Sequence, residues 1–550
     1  MERRRSKATG MSGNRRRSSG GFGRRSFGRL HDGAMPSGCL SFVLRGLDAL
    51  AVEVEVTVAS RGLPHTTIVG LPDAAVRESI QRVRSALAAI GRDMPRSPLT
   101  INLAPAHLRK EGPVFDLPMA LGLLAADGAF AKAPAAAPAL HEWMVAGELA
   151  LDGRLRGVSG AVSMAMAARS MGLRGVIVPL ENAAQAAVVR GITVLGAAHL
   201  KQVVEHVRTG HGLDPYEPCM VTRPAPSTAP DFGAILGQEL AKRAMAIAAA
   251  GGHNVLLIGP AGCGKTMMAR ALPGILPPLS HDQALEVTRI QSAAGLLPGG
   301  VALAVERPVR SPHHTASCAA IVGGGRGPRP GEVTLAHQGI LFLDELPEFT
   351  RPALEALREP LEDGHVTIAR SAGTVRFPAR CMLVAAMNPT ARGNRGTGRG
   401  GGAADADAYL ARVSGPLLDR IDMHVQVRPV DVSLFASRRT GADSARLREL
   451  VERARSTQAG RQGGTLNAAL ASAELDRCGA VTAQAAMVLA ESMTGLGLSA
   501  RAYDKVRRVA RTIADIEGAH AVEPEHVLEA VQYRQLDRSS GALVEYEGAG

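Results

Sequence analysis

The feature that most constrains the fold lies in the middle of the chain, where the apolar residues 255–258 run into a glycine-rich loop, 259–264. The apolar run predicts a buried strand, and the residues from Lys265 onward predict a helix. Three glycines let the loop turn its backbone N–H groups inward, and the helix adds its positive end. Together these elements predict a phosphate-binding loop, or P-loop, rather than a glycine-rich turn with a stray lysine.

The two residues that end the loop predict a nucleotide with Mg²⁺. Lys265 can reach the β- and γ-phosphates as a cation, and the Thr266 hydroxyl can complete the shell of a bound Mg²⁺. The predicted nucleotide-binding residues are Gly259, Pro260, Ala261, Gly262, Cys263, Gly264, Lys265 and Thr266.

Two later strands end in polar residues suited to the same site. The apolar run 339–343 ends in Asp344 and Glu345, so Asp344 is predicted near the metal and Glu345 is predicted to polarise an attacking water. The run 381–387 ends at Asn388, which can bind the γ-phosphate or orient that water. The alternative, for either carboxylate taken alone, is an acidic residue that caps the end of a strand and has no part in metal binding or catalysis.

The order of these motifs, followed by Ser414-Gly-Pro-Leu-Leu-Asp-Arg-Ile-Asp422 and Leu498-Ser-Ala-Arg-Ala502, resembles the AAA+ ATPases of the magnesium-chelatase-like clade. The resemblance is closer to the ComM (YifB) competence-protein family and runs from about residue 44 to residue 538. It implies ATP and Mg²⁺ as cofactors and a homo-oligomeric ring, a hexamer in the family. It also implies that Arg420 is an arginine finger that reaches a neighbouring subunit's nucleotide, and that Arg501 is a sensor-2 arginine contacting nucleotide in its own subunit.

The length of 550 residues and the 46% apolar content indicate a multidomain globular protein. The predicted segments are a disordered basic tail (1–34), an α+β domain (36–205), a proline-rich linker (206–230), an α/β P-loop AAA+ domain with a parallel sheet (231–430), a small all-α lid domain (431–536) and a C-terminal tail (537–550).

The first domain alternates strand and helix patterns. Predicted strands are Val52–Val58, Ile101–Leu103, Trp143–Val145 and Gly175–Val178, with a helix from Asp73 to Ala88. The strings 110–113 and 147–153 resemble the proteolytic domain of Lon, in which a serine nucleophile works with a lysine base. Val114 and Val162 occupy those two positions in this chain, while Ser163 and Lys110 fall beside them. The resemblance therefore implies a scaffold and not a protease.

The net charge of +12 suggests an anionic partner, but most of it is in the tail. Residues 1–34 hold nine Arg and one Lys against two acidic residues, and the segment either contacts nucleic acid or precedes a true start at Met11 or Met35. No apolar run is long enough to span a membrane, and no signal segment follows the start. The six cysteines form no C-x-x-C pair. We expect a cytoplasmic protein without a membrane partner.

Two further stretches carry arginines that can reach phosphates. Residues 366–377 predict a hairpin, which in this clade faces the pore of the ring, and Arg370 and Arg376 lie on it. The stretch 393–402 is rich in glycine and arginine and is either a nucleic-acid contact or a plain insertion. The adjacent pair His313-His314 is a weak metal-site candidate, because adjacent side chains point in different directions.

Three functions remain open on these observations. The first is an ATP-driven ring motor on branched or single-stranded DNA, which the resemblance sharpens to a helicase for branch migration during natural transformation. The second is a chelatase-type ATPase that remodels a protein partner, against which the extra N-terminal domain argues. The third is an ATP-dependent protease, which Val114 and Val162 oppose.

Overall fold

A computed structural model of the protein describes residues 37–534, apart from residues 132, 135–138, 218–228, 299, 326, 371–372, 390–408, 410 and 430–440. The predicted tails 1–34 and 537–550, the glycine–arginine stretch 393–402 and residues 218–228 of the predicted proline-rich linker lie outside the described residues. None of the helices in the described part has the length and apolar character needed to cross a membrane.

The first domain is built on a mixed sheet of seven strands in the order β3-β4-β2-β1-β5-β8-β9, with β6 and β7 paired separately. The strands are β1 (Ser37–Arg45), β2 (Asp48–Val58), β3 (Thr66–Val69), β4 (Leu99–Ala104), β5 (Trp143–Val145), β6 (Glu148–Leu149), β7 (Leu155–Arg156), β8 (Gly175–Pro179) and β9 (Thr193–Ala197). Strand β2 runs antiparallel to β1 and β4, and the other neighbours are parallel. Every second residue of β2 from Val52 to Val56 is buried, as a strand with one face on a core requires.

Five helices cover this sheet: α1 (Ala74–Ala89), α2 (Asp116–Ala126), α3 (Ala161–Ser170), α4 (Leu180–Ala187) and α5 (Leu200–Thr209). Helix α1 begins where predicted, because the Asp73 carboxylate accepts a hydrogen bond from the Val76 N–H at 2.8 Å and caps it. The packing of this domain continues past residue 205, where the prediction ends it. Helix α5 continues to Thr209, and the Tyr216 N–H still donates to the Val194 carbonyl at 2.8 Å.

The second domain contains the predicted parallel sheet, whose five strands lie in the order β11-β14-β17-β10-β18. The strands from this domain are β10 (Val255–Ile258), β11 (Val309–Arg310), β12 (Gly323–Gly324), β13 (Arg329–Pro330), β14 (Ile340–Leu343), β15 (His365–Arg370), β16 (Gly373–Pro378), β17 (Met382–Met387) and β18 (Met423–Gln426). Val255 and Leu257 pack into one apolar cluster, and Leu256 and Ile258 pack into another. Strand β10 is therefore buried on both faces, which explains its continuous apolar run.

The helices around this sheet are α6 (Glu239–Gly251), α7 (Lys265–Ala271), α8 (His281–Ala293), α9 (Cys318–Val322), α10 (Glu332–Leu335), α11 (Arg351–Glu355), α12 (Arg358–Asp363) and α13 (Gly415–Leu418). The hairpin β15–β16 packs against the turn between β1 and β2 of the first domain. A Cβ placed on Gly46 would lie 2.3 Å from Val375 Cγ1, and Leu47 is buried in the same cluster as Val366 and Phe377. The first domain thus contacts the hairpin directly.

The C-terminal region is helical, as predicted: α14 (Ser444–Gln462), α15 (Ser472–Cys478), α16 (Ala483–Leu496), α17 (Ala500–Glu517) and α18 (Pro524–Gln532). Val506, Val509 and Ile513 follow the helical repeat along α17 and join the cluster that contains Ala244 and Ile247 of α6. This apolar face holds the helical lid on the second domain.

Candidate functional site

The P-loop joins the buried strand β10 to helix α7, as the sequence predicts. The loop starts against the end of strand β17, because the Gly259 N–H donates to the Met387 carbonyl at 3.2 Å. A Cβ on Gly259 would lie 2.2 Å from the Val427 carbonyl oxygen, so the strand packing admits only glycine there. Gly262 has φ +82° and open space where a Cβ would stand, so this side of the loop is free to receive a ligand.

The side chain of Lys265 turns back into the P-loop. Its Nζ donates to the Gly259 carbonyl at 2.6 Å, to the Pro260 carbonyl at 2.8 Å and to Asn388 Oδ1 at 3.1 Å. Only 8% of the residue is exposed. The ammonium therefore lies between the P-loop and the end of β17, where it contacts both the loop carbonyls and the side-chain amide of Asn388.

The metal ligands proposed from the sequence meet at the end of strand β14. Thr266 Oγ1 donates to Asp344 Oδ2 at 2.9 Å, and Asp344 Oδ1 accepts from the Glu345 N–H at 3.0 Å. A hydroxyl and a carboxylate oxygen are ligands that Mg²⁺ accepts, and here they converge at the first turn of α7. The residues present fit a nucleotide with Mg²⁺.

Glu345 is held in an uncommon backbone conformation, with φ 54° and ψ 48°, which a residue with a Cβ adopts at a cost of about 1–2 kcal/mol. Its carboxylate is 55% exposed and lies 3.2 Å from His314 Nδ1. The ring of His314 meets Phe349 edge-on with centroids 6.5 Å apart. The predicted base is thus turned to solvent with a histidine beside it.

His314 is a site residue that the sequence analysis missed. We weighed it only as a metal ligand with His313, whose ring centroid is 4.1 Å away. Strand β11 pairs in parallel with β14, so the residues that follow each strand come together at one edge. The adjacency depends on the order of strands in the sheet, which the linear sequence does not display.

Arg420 lies at the opposite edge of the sheet from the P-loop. Its carbonyl accepts from Asn254 Nδ2 at 3.3 Å, and Asn254 immediately precedes β10. Its guanidinium donates to the Pro416 carbonyl at 2.7 Å and lies 2.5 Å from Glu362. Asn254 and Gly259 are separated by the whole strand, about 16 Å at about 3.3 Å per residue.

Arg501 lies near Arg420, at the start of helix α17. Its guanidinium is 65% exposed and 3.9 Å from Asp419, the residue before Arg420. In this structure the Arg501 guanidinium therefore lies beside the residue that precedes Arg420, and its contact with nucleotide stays a prediction. The physical reason is the position of helix α17, whose first turn meets the amino-terminal edge of the sheet and not the P-loop edge.

The hairpin arginines are both exposed. Arg376 lies beside His365, with its guanidinium nitrogen 2.7 Å from Nδ1. His365 also groups with Glu359 and Asp363, and one potential ligand atom from each lies within 4.8 Å of the others. The same ring nitrogen of His365 is 2.9 Å from the Asp363 carbonyl, so existing contacts already account for it.

The two positions aligned with the Lon serine and lysine belong to one apolar region of the first domain. Val162 is fully buried in the cluster against which Val114 packs. The neighbouring Ser163 hydroxyl donates to the Leu47 carbonyl at 2.6 Å, and the buried Lys110 ammonium donates to the Pro105 carbonyl. Burial lowers the pKa of Lys110.

A parallel sheet with a P-loop, Asp344-Glu345 and Asn388 at one edge, followed by a helical lid, defines a P-loop ATPase of the AAA+ class. Residues 231–434 match the family described as "Magnesium chelatase, subunit ChlI". Residues 52–182 match "Subunit ChlI of Mg-chelatase", and residues 441–534 match its C-terminal family. The resemblance of the first domain to Lon is not confirmed.

Full-length similarity lies with a narrower group. The chain is 44% identical to "Uncharacterized protein YifB" of Salmonella typhimurium and 41% identical to "Competence protein ComM" of Haemophilus influenzae, each over 90% of this chain and 96% of that protein. The "Magnesium-chelatase 38 kDa subunit" of Cereibacter sphaeroides is 28% identical over 29% of this chain and 52% of that protein. The chain belongs to the YifB/ComM family.

Proposed function

We propose that the chain hydrolyses ATP at a site that two neighbouring copies complete, and that the resulting ring, a hexamer, acts on DNA. Within one copy, the loop N–H groups and Lys265 would hold the phosphates, and Thr266 and Asp344 would hold Mg²⁺. The bound Mg²⁺ would neutralise charge on the phosphate oxygens. This assignment is supported by the convergence of Thr266 and Asp344 at 2.9 Å.

Glu345 is proposed to accept a proton from the attacking water, and Asn388 to orient that water or the γ-phosphate. Both follow strand ends beside the P-loop, and Asn388 Oδ1 already accepts from Lys265. The exposed carboxylate of Glu345 is free to meet a water, unlike that of Asp344, which Thr266 engages. The division of roles between the two adjacent carboxylates follows from these contacts.

The proposal of an oligomer rests on the distance that separates Arg420 and Arg501 from the P-loop of the same chain. Arg420 is anchored beside Asn254, and Arg501 lies next to it against Asp419. With a whole strand between them and Gly259, neither arginine faces its own P-loop. We therefore infer that both serve the nucleotide of the neighbouring copy, where cations stabilise the charge that develops during phosphoryl transfer.

DNA is the proposed partner for two reasons. A relative that aligns over 96% of its length is named a competence protein, and the hairpin β15–β16 carries exposed Arg370 and Arg376. Branch migration of recombination intermediates is the specific activity we propose. The alternative is a chelatase-type remodeller of a protein partner, which is supported by the matched families but not by the short alignment with the chelatase subunit.

The first domain is proposed to be a Lon-like scaffold without peptidase activity. Two valines pack where a serine and a lysine would be needed, and neither Ser163 nor Lys110 lies free, since each donates to a carbonyl. Gly46 and Leu47 of this domain contact the hairpin, and such a contact is what we expect of a domain that supports the ring.

The deciding experiment measures ATP hydrolysis by the purified protein with and without branched or single-stranded DNA. A labelled three-strand branched substrate reports strand displacement in the same samples, and Lys265→Ala serves as the nucleotide-binding control. We expect DNA to raise turnover and ATP to be required for displacement. Turnover that is indifferent to every DNA tested would refute the DNA motor and favour the protein remodeller.

A further inference from the structure

A buried ionic cluster connects the lid to the segment that follows Arg420. Lys505 of helix α17 lies with its Nζ 3.1 Å from Asp422 Oδ1, and the same ammonium donates to the Ile421 carbonyl at 3.1 Å. The side chains of Lys505 and Asp422 are only 10% and 11% exposed. Burial raises the pKa of Asp422, but Lys505 and then His253 outweigh it and lower the pKa below its ordinary value.

A second cation reaches the same backbone from the end of the lid. The Arg534 guanidinium donates to the Ile421 carbonyl at 2.5 Å and to the Asp422 carbonyl at 3.3 Å, and only 2% of this residue is exposed. The two residues that come directly after Arg420 are therefore held by cations from two different parts of the lid.

The sheet holds the same segment from the other side. Asn254 donates through Nδ2 to the Arg420 carbonyl at 3.3 Å and through its backbone N–H to Asp422 Oδ2 at 3.0 Å. Its Oδ1 accepts from the Leu383 N–H of strand β17 at 2.8 Å. The segment from Arg420 to Asp422 thus lies between a fixed point on the central strands and the cations of the lid.

Helix α17 also carries Arg501, one turn before Lys505. Positions four apart lie on the same face of a helix. The helix consequently presents Arg501 to Asp419 and Lys505 to Asp422, on the two sides of Arg420. Apolar packing already joins the lid to the core, so the buried charges are not needed for adhesion. Replacing such charges by apolar groups often stabilises a protein. We therefore infer that these charges fix the position of the segment from Arg420 to Asp422 and do not serve mainly to stabilise the fold.

We propose that Lys505, Asp422 and Arg534 form an anchor that positions Arg420, so that movement of one subunit's lid moves the finger it offers to its neighbour. The proposal rests on the proposed function of Arg420. Lys505 is a positioning residue in this scheme, because it touches the backbone beside the finger and not the nucleotide.

The test uses the full-length chain with Lys505→Met, and with the double variant Lys505→Met/Asp422→Asn, which removes the carboxylate charge together with the ammonium that pairs with it. We expect binding of a fluorescent ATP analogue to stay within about twofold and kcat to fall at least about tenfold, because a finger is worth more than that in phosphoryl transfer. The matched control is Arg461→Met, which breaks the ion pair of the half-buried Arg461 with the buried Asp515 inside the lid without touching this segment. Its turnover should stay within about twofold of wild type.

Mixing subunits separates positioning from misfolding. Lys265→Ala subunits have an intact finger and no working site of their own, so adding them to either anchor variant should restore turnover at the shared interfaces. Wild-type turnover in both anchor variants, or failure of Lys265→Ala to rescue either folded variant, would overturn the proposal. If only the double variant folds, as judged by circular dichroism, the same criteria apply to it, and loss of folding in both would show a structural role instead. The reference mixture of Arg420→Ala with Lys265→Ala isolates the proposed function, because failure there means that no finger acts in trans.

Discussion

The carboxylate of Glu345 provides the sharpest test of the site. Its one ion pair in the described residues, with His314, involves a side chain that is 55% exposed. Exposed pairs contribute about 0–1 kcal/mol, so Glu345→Gln should change the unfolding free energy by less than about 1 kcal/mol. Loss of a general base slows catalysis by about 10²–10⁴-fold, which corresponds to about 3–5 kcal/mol in the barrier. The two magnitudes differ enough to separate catalysis from stability.

The assay compares wild type with Glu345→Gln in steady-state ATP hydrolysis, in binding of a fluorescent ATP analogue and in thermal unfolding. We expect nucleotide affinity and ring assembly to persist while turnover is lost. Lys265→Ala is the contrasting variant, since it removes the cation that the loop carbonyls enclose and should weaken nucleotide binding itself. Ordinary turnover by a folded Glu345→Gln protein would show that Glu345 is not the base.

Three further predictions concern residues around the site and the domain contact. His314→Ala should leave nucleotide affinity unchanged and lower kcat about tenfold, because the exposed Glu345 carboxylate loses the side chain that helps to position it. An unchanged kcat would count against this positioning role of His314. Burial, and then two neighbouring cations, hold the pKa of His424 well below 6.5. The unfolding free energy, measured in urea, should therefore be at its full value above pH 6.5 and fall by up to about 1.4 kcal/mol per pH unit below it, with a shallower fall in His424→Leu. Gly46→Ala should destabilise the protein by about 1–3 kcal/mol more than Gly91→Ala, because both glycines have positive φ but only Gly46 faces a side chain, Val375, at 2.3 Å; equal melting temperatures would contradict this contact.

The success of the sequence analysis at the P-loop has a local cause. A buried strand, a glycine loop and a helix start are contiguous, so the chain within residues 255–266 specifies its own geometry. The ends of β14 and β17 were predictable for a related reason. Parallel strands place their carboxyl ends at one edge, and β14 pairs directly with β17, so their two ends are neighbours.

The position of Arg501 depends on contacts of a different kind. The Leu498–Ala502 motif identifies a helix start but not the direction from which that helix reaches the core. The burial of α17 against α6 and the contacts of Lys505 with Ile421 and Asp422 determine that direction. These contacts join residues more than eighty positions apart, and no local pattern reports them.

By itself, the sequence determined the family, the parallel sheet, the helical lid and the grouping of Lys265 and Thr266 with Asp344, because each depends on short-range patterns of apolar, glycine and polar residues. Only the tertiary structure decided that Arg420 and Arg501 share the edge far from the P-loop, and that His314 stands beside Glu345. The physical reason is that strand order and lid docking are set by burial of surfaces distant in sequence. The same burial leaves Arg420 and Arg501 turned away from the P-loop of their own chain.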